Sequence, residues 1–345
     1  MFDIRVVLKN HPRLFYIILL IIITTMVIGS FLTVNIDGDK KAEFKGMING
    51  TAYKPFVNRC LIPVMIKNTS SLIPEIVKKN INDWGVKNII YLTYIRNNID
   101  LTELILAMII WYASIIGFAL IFIKFILIFY SADNRVVYLL SLVSVAGLPL
   151  FFKYYSYLYD FPQLFLFTLG LYLLVKSKWT FYLIALAVST LNKETSILLI
   201  FIYLLYYKNK LSKSVFTKLL VYQIVIFILL KMVLTITFIN NPGSLVEFHL
   251  LRNLKMEPYS ISQFVSLIII GIAIVYDWKN KPTFLKISLS IIIPLTFLSF
   301  LFGFFDEYRD YYEVYPILFL LIAHSVCKIL NSDILRLRTI QSEIK

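Results

Sequence analysis

The sequence predicts an all-α fold: a polytopic membrane helix bundle of about nine or ten transmembrane helices. Residues of the hydrophobic set make up 59% of the 345 and charged residues only 16%, against roughly 45–50% and about 25% in soluble domains. A single soluble core of this size could not bury such an excess. The apolar residues also form runs long enough to cross a hydrocarbon core of about 30 Å. Two ordinary soluble domains are therefore excluded.

The net charge of +14 comes from 34 Lys and Arg against 20 Asp and Glu. On a soluble protein this charge would indicate a nucleic-acid partner. Here most of the surplus lies in short segments between apolar runs, where the positive-inside rule places it, so no nucleic-acid partner is expected. Cys60 and Cys327 fall on opposite sides of the predicted membrane, and neither a disulfide nor a cysteine metal site is expected.

The first span is predicted over residues 14–33. Arg5, Lys9 and Arg13 precede it and place the N-terminus in the cytoplasm. The run is about twenty residues long and lacks an A-x-A-like cleavage site, which favours a retained anchor over a signal peptide. Residues 34–101 then form the first exoplasmic loop.

Two segments of this loop, 71–82 and 84–96, are predicted to be amphipathic helices that lie on the membrane surface. Leu72, Ile76 and Val77 have helical spacing among polar neighbours in the first segment. The loop contains ten basic residues. That number does not contradict an exoplasmic location, because loops longer than about sixty residues are translocated largely regardless of charge.

The later apolar runs alternate in direction, and basic residues collect in the turns predicted to be cytoplasmic. Further spans are predicted at 103–129, 136–152, 162–175, 219–238, 262–276, 283–303 and 316–330. Both termini are then cytoplasmic, and 1–345 forms a single transmembrane domain of the cell's inner (plasma) membrane. No internal repeat is evident.

The run 181–207 differs from the others, because lysines flank both of its ends and Asn192-Lys193-Glu194-Thr195 lies at its centre. Its 27 residues are too few for two full helical crossings at about 1.5 Å per residue. It is either two short helices that meet in a protein-lined cavity or one crossing with charges at mid-depth. The broken pair is favoured, because it keeps both lysine clusters on the cytoplasmic side.

Charged residues near an apolar zone are costly, so each is a functional candidate. The predicted topology gathers the mixed-charge residues on the exoplasmic side, which favours a membrane enzyme or a substrate-binding site over a channel. The candidates are Asp37, Asp39, Arg59, Asp160, Asn192, Lys193, Glu194, Arg309, Tyr312 and Glu313.

Structural interpretations stand beside the functional ones. Asp37 and Asp39 flank Gly38, a pattern typical of a turn. Asp160 could cap the helix that begins near it, since Asp is favoured at helix starts. Lys193 and Glu194 could form a structural ion pair. The four tyrosines of segment 154–159 are interpreted as a membrane-interface belt in preference to a platform that stacks on sugars.

Four motifs occur in order along the chain: Tyr53-x-Pro-Phe-x-x-Arg-x-Leu-x-Pro63, Tyr159-Asp-Phe-Pro162, Leu191-Asn-Lys-Glu-Thr195 and Glu307-x-Arg-x-x-x-Glu-x-x-Pro316. With them the chain resembles multispanning glycosyltransferases of the GT-C class, and most closely a loosely defined bacterial group. The resemblance covers most of the chain at low density.

The resemblance implies a polyprenyl-phosphate-linked sugar as donor, a glycan or lipid-linked acceptor, and a catalytic base in the first exoplasmic loop. Asp37 or Asp39 matches the position of that base. No Asp-x-Asp with a bulky middle residue is present, which leaves the base and any divalent cation open. The other implied roles are phosphate or sugar contacts for Arg59, Lys193 and Arg309, orientation of these cations by Glu194 and Glu313, and sugar-hydroxyl binding for Asp160.

Two alternatives remain. An oligosaccharide repeat-unit polymerase of the O-antigen or exopolysaccharide type also acts on lipid-linked sugars, and would depend on arginines more than on an early acidic residue. A transporter or flippase of lipid-linked sugar is suggested by the broken run 181–207, since discontinuous helices often build transport sites. The inverted repeat that would favour a transporter is not found.

Overall fold

A computed structural model describes residues 12–88 except Asn35 and Asp37, then 99–255, and 261–338 except Asp333. The described residues are 75% helical with almost no sheet. In chain order the helices are α1 (Pro12–Thr33), α2 (Phe44–Asn49), α3 (Leu61–Ser71), α4 (Glu75–Asn88), α5 (Leu101–Phe129), α6 (Asn134–Ala146), α7 (Asp160–Val175), α8 (Trp179–Asn192), α9 (Ile197–Tyr207), α10 (Lys213–Thr237), α11 (Leu250–Leu254), α12 (Ile261–Val275), α13 (Thr283–Ser288), α14 (Ile292–Phe302) and α15 (Tyr315–Ile329). Strands β1 (Tyr130–Ser131) and β2 (Arg336–Leu337) pair antiparallel.

Five helical stretches among the described residues are long and apolar enough to cross a membrane: Pro12–Thr33, Leu101–Phe129, Asn134–Phe151, Lys213–Thr237 and Thr283–Phe302. Shorter apolar helices, among them α7, α8, α9 and α15, pack between them. The predicted all-α bundle of a membrane protein is confirmed at this level. Side-chain caps begin two of the helices, since Asp100 Oδ1 accepts from Thr102 N (2.7 Å) and Asp133 Oδ1 accepts from Arg135 N (2.7 Å).

The bundle has two ends with different chemistry. The end that contains the β1–β2 pair is called the lower end, and the opposite end the upper end. At the lower end the Arg338 N–H donates to the Phe129 carbonyl (2.8 Å), and His324 lies 3.0 Å from Asp277. The upper end corresponds to the predicted exoplasmic side and carries the mixed-charge segments. Cys60 and Cys327 are both free thiols, as expected from the sequence.

The run 181–207 folds as two short helices. Helix α8 ends at Asn192, Lys193 has an extended backbone, and a short 3₁₀ turn at Glu194–Ser196 leads into α9. The ring of Trp179, at the start of α8, lies 5.0 Å from the ring of Tyr207, at the end of α9. Both distant ends therefore lie together at the lower end, and the broken pair is confirmed.

Two close helix contacts depend on glycine in α5 and α7. A Cβ at Gly117 of α5 would lie 2.9 Å from the ring of Phe165, and one at Gly170 of α7 would lie 2.6 Å from Leu199 of α9. Small residues let apolar helices approach closely, which is how helices associate in a bilayer. These contacts fix α7 against both α5 and α9, and so fix the start of α7 against the helix break.

The first loop differs in detail from the prediction. Helix α3 was not predicted, and it buries Ile62 and Ile66 beside α5. Helix α4 follows Pro74 and continues through Trp84, so the predicted boundary near residue 82 is wrong; part of the predicted segment 84–96 lies outside the described residues. Proline suits a helix start because its fixed φ is already helical and its missing N–H is not needed there.

The first loop is fastened to the loop after α10. The Asn241 side chain donates to the carbonyls of Gly50 and Ala52, both at 2.9 Å, and Lys41 Nζ lies 2.8 Å from Glu247 Oε1. Polar groups far apart in the sequence thereby hold the loop over the upper end of the bundle.

Candidate functional site

A recessed polar cluster lies where the break between α8 and α9 meets the start of α7. Helices α7 and α8 have 16 and 14 residues, so they rise about 24 and 21 Å from the lower end. A hydrocarbon core is about 30 Å thick, and α5 with 29 residues is about 43 Å long. The cluster therefore lies below the upper ends of the long helices. Its height above the lower end is less than the thickness of a hydrocarbon core.

Arg59, in the loop before α3, binds Glu194 through two nitrogen atoms. Its Nε donates to Glu194 Oε2 at 3.2 Å, and its Nη2 donates to Glu194 Oε1. Its Nη1 donates to the Tyr159 hydroxyl, and the guanidinium lies 4.5 Å from the centroid of that ring. The bidentate geometry holds the guanidinium in one orientation.

Lys193 and Glu313 form a buried charged pair. Lys193 Nζ lies 3.6 Å from Glu313 Oε1 and 3.9 Å from Asp310 Oδ1. Glu313 Oε1 also accepts from the Thr195 hydroxyl and from Gln163 Nε2 (3.3 Å). Among the described residues Glu313 Oε2 has no hydrogen-bond partner, so the carboxylate keeps an acceptor unused.

Arg309 joins two acidic residues to an aromatic ring. Its Nη1 donates to Asp160 Oδ2 at 3.4 Å, and its Nε lies 2.8 Å from Glu307 Oε1 in an ion pair without hydrogen-bond geometry. The guanidinium lies 3.8 Å from the centroid of the Tyr157 ring. Asp160 also accepts from the Tyr157 N–H (3.1 Å). The same carboxylate therefore stabilises the turn before α7 and contacts Arg309.

Tyr157 and Tyr159 form the floor of the cluster. Their rings stack 5.2 Å apart at 8°, and the residues are 6% and 2% exposed. The interface-belt interpretation is wrong for these two, because each ring is buried under an arginine. Tyr154 also points inward, since its hydroxyl donates to Asp306.

Asp39 is connected to this floor. The Tyr157 hydroxyl donates to Asp39 Oδ2 at 2.7 Å, and the Lys41 N–H donates to Asp39 Oδ1 at 3.0 Å. Asp37, the other predicted base, lies outside the described residues. Asp39 is thus the described candidate base that contacts the cluster.

Asn192 and Tyr312, also predicted to bind substrate, are buried beside the cluster. Asn192 Nδ2 donates to the Tyr159 carbonyl (3.0 Å) and to Gln163 Oε1 (3.2 Å), which ties the break to α7. The Tyr312 ring packs on Phe151 with centroids 5.3 Å apart. Both contacts are structural and favour support of the site over contact with a ligand.

Lys231 of α10 was missed by the sequence reasoning. Its Nζ lies 3.9 Å from Glu194 Oε2. The available signal was a lysine inside the apolar run 219–238, since an ionisable residue within a span is by default a functional candidate.

A second charged cluster fastens the upper loops to one another. Asp306 accepts from Lys153 Nζ, the Tyr154 hydroxyl and Arg252 Nη1 (2.7 Å). Burial alone would raise the pKa of Asp306, but these hydrogen bonds outweigh it and hold the pKa below its ordinary value. Asp306 therefore stays charged and positions the segment that carries Glu307, Arg309 and Glu313.

Replacing Glu307 by glutamine should change the pH dependence of stability. Burial raises the pKa of Glu307 from 4.5 to about 7, although Arg309 opposes the shift. The folded state therefore binds a proton that the unfolded state has lost. The stabilising contribution is complete below the unfolded pKa and is lost as the pH rises through about 7. Thermal midpoints of purified protein should be measured between pH 5 and 8. The midpoint of Glu307→Gln should rise relative to that of the wild type as the pH rises.

The control for this prediction is Glu43→Gln, which removes an exposed carboxylate of the first loop. The change measured for this variant over the same range is the baseline for Glu307→Gln. A pH dependence of Glu307→Gln that equals this baseline would show that Glu307 does not titrate in this interval.

Among the described residues, no group of three or more His, Cys, Asp or Glu side chains could hold a metal ion. The fold and the cluster define an all-α helical bundle of the membrane-protein class with an ion-paired polar site near one end. Comparison with family models, curated proteins and solved structures gave no match.

Proposed function

We propose that the protein is a membrane glycosyltransferase that transfers a sugar from a polyprenyl-phosphate-linked donor to a glycan or lipid-linked acceptor on the exoplasmic face. One observation carries the proposal: Arg59, Lys193 and Arg309 are held by carboxylates in a recessed site that Tyr157 connects to Asp39. The resemblance to GT-C enzymes supplies the donor class, and the apolar runs of the sequence supply the proposed fold of about nine or ten spans.

In this reaction Asp39 accepts the proton of the acceptor hydroxyl. The hydroxyl oxygen forms a bond to the anomeric carbon, the bond from that carbon to the phosphate oxygen breaks, and its electron pair stays on the lipid phosphate. A base must lie within hydrogen-bond reach of the proton that it removes. The Tyr157 hydroxyl and the Lys41 N–H hold the two oxygens of Asp39 and thereby fix its orientation.

The three cations stabilise the phosphate as it leaves. Donors that are already oriented toward developing charge lower the barrier without reorganisation, and arginine offers a fork that matches phosphate oxygens. Glu194 orients Arg59, Glu313 lies beside Lys193, and Asp160 contacts Arg309. The contact of Asp160 with Arg309 supports a positioning role beside the predicted binding of sugar hydroxyls.

Asp39→Asn tests the proposal. With a radiolabelled sugar on polyprenyl phosphate as donor, transfer should fall by at least about 100-fold, because general-base catalysis contributes roughly that much or more. Donor binding should persist, because the cations remain. Glu43→Gln, in the same loop, should transfer at the wild-type rate.

Other outcomes point elsewhere. If Asp37→Asn abolishes transfer and Asp39→Asn does not, the base assignment moves to Asp37. If glycan synthesis survives loss of both aspartates but not Arg309→Gln, a repeat-unit polymerase gains support; the two arginines of the cluster, Arg59 and Arg309, favour that alternative. If purified protein moves lipid-linked sugar without forming a bond, the enzyme proposal fails in favour of a transporter, which the broken pair α8–α9 favours.

A further inference from the structure

Lys231 occupies an unusual place for a charged residue. It lies six residues before Thr237, the last residue of α10, which is about 9 Å from the upper end of that helix. Its neighbours along the helix are apolar. A charge at such a depth is costly. Charged residues in this position are therefore rare, and they usually face a partner or a binding site.

The charges around Lys231 leave a positive surplus. Glu194 lies between two cations, since Arg59 donates to both of its oxygens and Lys231 Nζ is 3.9 Å from Oε2. These three groups together carry a net charge of +1. The Glu194 side chain is 36% exposed and that of Lys231 25%, so the triad is accessible from the surface of the bundle.

An apolar groove of about 320 Å³ on the surface of α10 includes one member of this triad, Lys231. It runs along one face of α10 and is lined by Phe227, Ile228, Lys231, Met232, Thr235 and Ile236. Lys231 is the charged residue of this set. The nine-residue step from Phe227 to Ile236 corresponds to about 14 Å of helix, so the groove presents a strip of apolar surface with a cation on it.

We infer that this face of α10 receives the lipid arm of the donor from the bilayer, with the lipid phosphate at Lys231 and Arg59 and the first apolar units of the chain in the groove. The inference rests on the proposed function, and adds to it an entry route and Lys231 as a phosphate contact. An anionic head group complements the +1 triad, and an apolar chain complements the groove. Glu194 keeps the two cations apart and oriented.

The test measures binding of polyprenyl phosphate without a sugar to purified protein in nanodiscs. Lys231→Gln should weaken binding at least 10-fold, and Lys231→Arg should retain most of it. Lys218→Gln is the matched control, because Lys218 lies on the same helix, near the Tyr222 ring and outside the groove; its affinity should not change. Met232→Trp fills the groove. It should weaken binding of polyprenyl phosphate without altering binding of inorganic phosphate.

Unchanged affinity in Lys231→Gln overturns the inference, and so does equal competition by phosphatidylglycerol, which would make the groove a general phospholipid site. Lys231-dependent binding without sugar transfer would keep the inference and overturn the proposed function. Sugar transfer by Lys231→Gln with wild-type lipid affinity and KM would keep the function and overturn the inference.

Discussion

Replacing Glu313 by glutamine should lower the free energy of unfolding by about 3 kcal/mol, the lower end of the range for breaking a buried ion pair, because Lys193 keeps only the more distant and more exposed Asp310 as a partner. Glu313 is completely buried, and Lys193 lies 3.6 Å from it with little exposure of its own. Glutamine keeps the shape and the bonds from Thr195 and Gln163 but loses the charge. In thermal unfolding of a chain of 345 residues the midpoint should fall by roughly 4 °C.

The matched control is Glu75→Gln. Glu75 pairs with Lys78 at 2.8 Å, but its side chain is 88% exposed, and exposed pairs contribute roughly 0–1 kcal/mol. Its midpoint should therefore barely move. Equal shifts in the two variants would contradict the assignment of Lys193 and Glu313 as a buried charged pair.

The double variant Lys193→Met/Glu313→Gln separates stability from function. Removing both charges should restore most of the lost stability, because the desolvation cost disappears with them. Sugar transfer should not recover, since the cation that contacts the leaving phosphate is gone. Recovery of both would assign the pair a structural role only.

Replacing Lys281 by methionine should destabilise the lower end of the bundle by about 1.5–3 kcal/mol, the range for hydrogen bonds to a charged group. Lys281 Nζ lies within hydrogen-bond distance, 2.6–3.2 Å, of four acceptors, the carbonyls of Ala273, Ile274 and Leu321 and the Ser325 hydroxyl, which share its three N–H donors. The first two carbonyls belong to the last turn of α12, so the ammonium caps this helix and joins it to α15.

Thermal unfolding of Lys281→Met, followed by tryptophan fluorescence, checks this expectation. Lys279→Met is its control, because Lys279 is exposed two residues away in the same turn and its loss should change stability by no more than about 0.5 kcal/mol. A Lys281→Met variant as stable as Lys279→Met would show that the four contacts contribute nothing.

The site was predictable in its parts but not in its pairings. Arg59, Lys193, Glu194 and Arg309 could be selected from the sequence, because charges beside apolar runs are costly. That Arg59 binds Glu194, 135 positions away, and that Tyr157 binds Asp39, 118 positions away, depends on which helix ends meet. Lys231 could be selected from the sequence in the same way, but the sequence does not show that its partner is Glu194.

The sequence by itself determined the class of fold. Long apolar runs must become helices in a bilayer because every backbone polar group has to be satisfied within its own segment, and lysines at both ends of 181–207 already favoured a broken pair. The tertiary structure decided what each charge does. Lys281, a basic residue of a turn predicted to be cytoplasmic, is buried as a helix cap, and Tyr157 and Tyr159, interpreted as a belt, lie under arginines. Periodicity and charge specify where a chain enters and leaves an apolar medium, whereas pairing requires distances between helices that only packing sets.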